Sequence, residues 1–163
     1  MTEEANQEGT VYSRAVALCC FGLLGALANR RGNPGVEAAL FCGGSALVFT
    51  WIFLKTLGGL VYATNAPIRH TCGWAGIKLA LGRGFVLIVP FTVLALIAEF
   101  GLGWHATQAF ASAGIMSAGA AVGADLIRLG GRKLPSFALP MLAALAFSAV
   151  WLGLSSTLRE AMR

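Results

Sequence analysis

Five apolar runs alternate with short polar breaks along this chain, at residues 11–28, 36–63, 84–102, 106–129 and 136–158. Crossing a bilayer takes roughly 17–25 apolar residues in a helix, and each run reaches or approaches that length. The breaks carry turn chemistry: "GNPG" before the second run, "NAPIRH" after it, "GLGWH" after the third and "GGRKLP" after the fourth. Glycine permits turns and proline stops a helix or forbids its continuation, so these motifs punctuate helices rather than strands. The pattern predicts an all-α, polytopic transmembrane helix bundle of five spans. It falls to four if the first run is cleaved or lies in the interface.

The first run is the shortest of the five and contains Arg14. Ala26-Leu27-Ala28 fits a small-x-small cleavage site, but signal peptides start with a positive region. Here the start is acidic, with Glu3, Glu4 and Glu8, which favours a retained helix. Residues 1–10 are polar and expected to be disordered, as termini often are. Residues 11–163 then form a single transmembrane domain. In the second run, residues 38–54 are free of charge, and Lys55 can snorkel to the interface. Pro90 in the third run is expected to kink it.

Composition strengthens the membrane reading. Charged residues make up 12% of the chain, half the roughly 25% of soluble domains, too few to cover a water-soluble surface. The basic residues fall in short clusters between apolar runs, as in membrane-flanking loops, and form no patch suited to nucleic acid. The lipid bilayer is therefore the expected partner, with other membrane subunits or a second copy of the chain. The 103–106 break has no Lys or Arg, whereas the breaks on either side carry Arg69, Lys78 and Arg83, then Arg128, Arg132 and Lys133. The positive-inside rule places those two breaks in the cytoplasm, which puts the N-terminus inside and the C-terminus outside. Short loops and high Ala/Gly content point to a bacterial inner membrane.

The fourth run has given up most of its bulk: residues 109–124 are nearly all Ala, Gly and Ser. In lipid, helices associate through close packing that small side chains permit. Gly119 and Gly123 form a G-x-x-x-G pair, and Gly114, Ala118, Ala121 and Asp125 follow one helical stripe. These six residues are the predicted packing interface. Ile115 and Val122 form a bulkier neighbouring stripe expected to face lipid.

Few residues offer chemistry. Asp125 is the only aspartate, and Glu99 lies near the end of the third run. Intramembrane ionisable groups are functional candidates, so Glu99 is the candidate ion-coupling residue. The two acids belong to opposite faces of the membrane, since about 20 residues of helix at ~1.5 Å each separate Asp125 from the outer turn. Residues 125–135, from Asp125 through Leu134-Pro135, resemble the first aspartate motif of type IV prepilin peptidases, with a longer Asp-to-Pro spacing. Those enzymes, like lipoprotein signal peptidases, need two aspartates to share an activated water, and this chain has one. His70 and His105 are assigned to opposite sides, which argues against a haem held by both. The four cysteines, Cys19, Cys20, Cys42 and Cys72, include no C-x-x-C pair and read as small hydrophobes. No catalytic residues, cofactor or metal are expected. The leading function is a non-enzymatic structural or accessory subunit of a larger membrane assembly for secretion, transport or energy conversion. The alternative is a small oligomeric ion- or proton-coupled transporter or channel.

Overall fold

The computed structural model describes residues 3–29, 35–103 and 106–161, which are helical apart from short turns and include no strand. Seven helices follow in order: α1 (Glu3–Asn29), α2 (Val36–Thr64), α3 (Ala66–Thr71), α4 (Gly73–Val86), α5 (Ile88–Leu96), α6 (Thr107–Arg128) and α7 (Lys133–Ala161). A π-helical turn, Ile97–Gly101, extends α5.

Contacts between neighbours set the topology. Gly25 of α1 lies against Cys42 and Ala46 of α2, while Gly22 lies against Leu47, so these helices run antiparallel. Gly58 meets Trp74 and Leu81 of α4, Gly84 meets Ala118 and Val122 of α6, and Gly123 meets Phe137 of α7, each pair again antiparallel. The chain thus makes five alternating passes. α1, α4 and α7 start at the same end of the bundle, where α2 and α6 finish. That end carries Lys78, Arg69, Arg128, Arg132 and Lys133 and is called the basic end below.

Four of the passes are long and apolar enough to span a membrane: Val36–Thr64, Gly73–Gly101, Thr107–Arg128 and Lys133–Gly153. The expected fifth, in α1, contributes a shorter apolar stretch, Tyr12–Ala28. Multi-pass helices of this kind are compatible with an integral membrane protein. α1 itself begins at Glu3 and takes in most of the polar stretch expected to be irregular.

The third pass begins at Gly73 instead of residue 84. Lys78 and Arg83, expected in a loop, are therefore helical. Charge alone suggested a loop there, but a lysine or arginine on a helix near an interface can extend its head toward water. Pro90 explains the junction between α4 and α5. It has no N–H to bond the carbonyl four residues back, and its ring crowds that carbonyl. The helix tightens just before it, with Leu87 N–H donating to the Gly84 carbonyl at 3.1 Å.

The turn from α6 to α7 is built by two glycines. Gly130 adopts φ +88°, a left-handed conformation that other residues rarely accept. Gly131 N–H then bonds back to the Leu126 carbonyl at 3.0 Å, satisfying a helix-terminal acceptor as in a Schellman turn.

At mid-depth the interior is closed by aromatic rings from four passes. Phe147 of α7 stands 4.2 Å from Phe53, 5.0 Å from Phe49 and 5.6 Å from Phe21, measured between ring centroids. Phe85 and Trp151 pack on Phe21 at 6.2 and 5.8 Å. Such tilted and stacked pairs add directional attraction to the burial of large rings.

Candidate functional site

The small residues singled out on α6 do not share one face. Gly114 faces Ile88 and Phe91 of α5. Gly119 lies on α7, where an added methyl would sit 2.7 Å from Ala144 Cβ and 3.1 Å from the Pro140 carbonyl oxygen. Gly123 also lies on α7, with the added carbon 2.9 Å from Phe137 Cδ2 and 3.1 Å from its Cα. Ala118 is fully buried beside Gly84 of α4, and Ala121 is half-buried. α6 is therefore wedged between α4–α5 and α7 of its own chain.

Ile115 and Val122 are both fully buried, which corrects the expectation that they face lipid. Val122 fills the notch left by Gly84. A helix with neighbours on two sides has no wide lipid-facing stripe at these positions, and its few bulky residues fill the gaps that small residues opposite leave.

The two acids stand at opposite ends of α6. Asp125 is half-buried and accepts from Arg128 Nη1 at 3.3 Å, one turn further on. Glu99 sits in the π-helical turn and accepts from Thr107 Oγ1 at 3.3 Å. From Thr107 to Asp125 is roughly 27 Å of helix at ~1.5 Å per residue. Trp104 and His105 lie outside the described residues. Among the described residues no three His, Cys, Asp or Glu side chains cluster as metal ligands would, and Cys19, Cys20, Cys42 and Cys72 are free thiols.

Two features at the basic end emerge only in three dimensions. The first is a polar lock. Asn65, 1% exposed, ends α2. Its Nδ2 donates to Ser136 Oγ at 3.1 Å, and its Oδ1 accepts from the Arg132 N–H at 3.4 Å. One side chain thus ties the α2–α3 junction to the start of α7.

The second is a pocket of about 340 Å³ between α1, α2 and α4. Arg14 and Lys55 supply its charge, Trp51 and Trp74 its aromatic walls, and Leu18, Leu54, Leu81 and Phe85 its apolar surface. The pocket therefore runs from the basic end down to Phe85 of the aromatic cluster. Lys55 Nζ lies 5.7 Å from the centre of the Trp51 ring, and Lys78 Nζ lies 5.9 Å from that of Trp74. Both fall within cation–π range, about 6 Å. Arg14 is half-buried and reaches the Lys78 carbonyl through Nη2 at 3.4 Å. The site can attract an anion and shelter an apolar group beside it.

Sequence reasoning took Arg14 as an interruption of the first apolar run and Lys55 as a charge that snorkels to the interface. A signal was present: "WIFLK" (51–55) and "WAGIK" (74–78) both place Lys four residues after Trp. On a helix that spacing sets the amine over the ring. Nothing in the linear order indicated that Arg14 would join them. The chain matches no family model, no curated protein and no solved structure.

Proposed function

We propose that this chain is a non-enzymatic multi-pass membrane protein serving as a structural or accessory subunit of a larger membrane assembly. The observation that carries this reading is the outward face of α2. Gly44 and Ser45 floor a shallow groove there, between Leu40, Phe41, Val48 and Ile52. A side chain added at Gly44 would meet nothing within 4 Å. In a bilayer, a small-residue groove lets a second helix approach closely enough for dispersion contacts to accumulate. The inward glycines of this helix, Gly43 and Gly58, are already filled by α1 and by Trp74.

The proposed orientation puts the basic end in the cytoplasm, following the positive-inside rule, in a bacterial inner membrane. The test is purification of the native protein in mild detergent, followed by identification of co-purifying chains. Wild type should bring down defined membrane partners or a second copy of itself, and Gly44→Leu should lose them. A wild-type chain that is monomeric and unaccompanied refutes the reading.

The transporter reading draws on one observation, the π-helical turn at Glu99, since such turns recur at functional sites. Against it stands the aromatic cluster, which occupies the bundle interior at mid-depth. Ion-driven uptake into proteoliposomes that Glu99→Gln abolishes would favour transport over the subunit role.

A further inference from the structure

We propose that the pocket between α1, α2 and α4 is a binding site for an anionic phospholipid, whose phosphate meets Arg14 and Lys55 while an acyl chain lies along Leu54 and Phe85. This inference rests on the membrane setting and not on the subunit role.

Charge is the first argument. Arg14 is half-buried in a largely apolar pocket, and an enclosed cation is costly without a counter-charge. Among the described residues no carboxylate pairs with Arg14, Lys55 or Lys78. A guanidinium has five N–H donors in a planar fork, and Arg14 directs one nitrogen at a backbone carbonyl. The remaining donors match a phosphate, which accepts from such a fork in bidentate fashion.

Shape is the second. The volume, about 340 Å³, falls at the lower end of ligand pockets, roughly 300–1,000 Å³. That suits a headgroup and the first part of a chain, with the rest of the lipid outside. Arg14 stands about two turns of α1 nearer the basic end than Phe21, on which Phe85 packs, so the guanidinium lies above the apolar lining along the bundle axis. A phospholipid has the same order along its length. A free phosphate would use the cations and leave the apolar half without a role.

Position is the third. Trp74 stands at the start of α4, at the basic end, and tryptophan favours the depth of the headgroups. Basic pockets between transmembrane helices are a recurrent way of holding anionic headgroups.

The full-length protein in phosphatidylcholine nanodiscs provides the test, with tryptophan fluorescence as the signal. Brominated phosphatidylglycerol and brominated phosphatidylcholine are titrated separately. The anionic lipid should quench saturably at a much lower mole fraction. Trp51→Phe/Trp74→Phe, which keeps Trp104 and Trp151, should lose that saturable component. Arg14→Gln/Lys55→Gln should weaken apparent binding about thirtyfold, given the strength of each cation's attraction to anionic lipid. Arg128→Gln/Arg132→Gln removes two charges from the same end outside the pocket and should leave binding within about twofold of wild type, as expected of general surface attraction alone. Equal quenching of wild type by the two lipids overturns the proposal whether or not the variants fold. So do equal losses in the two charge variants. Relief of quenching by glycerol phosphate at the concentration of the lipid itself also overturns it, because the ligand would then be a soluble phosphate.

Discussion

α6 and α2 are both rich in small residues, yet the bundle uses them oppositely. Gly114, Gly119 and Gly123 of α6 all press on neighbours in the same chain. On α2 the adjacent pairs divide: Gly43 and Gly58 pack inward, whereas Gly44 and Gly59 have nothing within 4 Å. The buried share of the membrane-length window is 44% for Thr107–Arg128, as for Gly73–Gly101, and 28% for Val36–Thr64, so α6 is among the most enclosed passes and α2 is peripheral. A small residue lets a helix come close, and the topology decides whether that helix belongs to the same chain. The α6 glycines are thus accounted for by folding, and the outward α2 glycines remain for association.

The largest effects should come from filling the two kinds of glycine. Gly119→Leu and Gly123→Leu drive a side chain into the Pro140 carbonyl and the Phe137 backbone, which cannot rotate away. Overpacking typically costs ~1–3 kcal/mol, and a rigid obstacle puts these variants at the upper end. Gly44→Leu should change the stability of the isolated chain by less than ~0.5 kcal/mol, as for a surface substitution, while disrupting assembly. Thermal unfolding in detergent measures the first quantity and co-purification the second. If Gly44→Leu destabilises the isolated chain as much as Gly119→Leu does, the contrast between the helices fails.

A smaller loss is expected at the polar lock joining α2 to α7. Asn65→Ala strands Ser136 Oγ and the Arg132 N–H. Leaving buried groups unsatisfied costs ~1–3 kcal/mol, although exposure near the bundle end lets water replace part of it. Asn65→Ala should therefore lower the unfolding temperature less than Gly123→Leu. A larger drop would make the lock, not the α6–α7 packing, the main tie at this end.

Ile115→Leu sharpens the comparison further. It keeps volume but changes shape at a fully buried site, for which the cost is usually below ~1.5 kcal/mol. Val48→Leu, on the exposed face of α2, should be silent in the same assay. Among the buried or half-buried sites the smallest effect should be Thr107→Val, which removes a single hydrogen bond to Glu99. Interhelical hydrogen bonds in membranes average ~0.6 kcal/mol, so the variant should unfold within a few degrees of wild type.

Most of the helical architecture was legible along the chain. Glycine and proline act locally, through backbone conformation and missing N–H groups, so "NAPIRH" and "GGRKLP" marked real ends. The start of the third pass was not legible, because Lys78 and Arg83 suggest a loop unless the helix around them is seen. Their chemistry is that of a charged residue, but their conformation is set by the helix that contains them.

The candidate site divides in the same way. Composition and spacing identified α6 as a packing helix and separated Glu99 from Asp125, because helix rise fixes distance along one element. Neither could say which neighbours α6 would meet, so Ile115 and Val122 were placed on the wrong side. The Trp-to-Lys spacings at 51–55 and 74–78 are written in the sequence, but Arg14 reaches the Lys78 carbonyl across 64 positions. Periodicity and turn residues act over a few residues, so the sequence alone determined the helices, several of their ends and their apolar character. The pocket and the polar lock depend on which helices become neighbours, and that follows only from packing all the passes together at once.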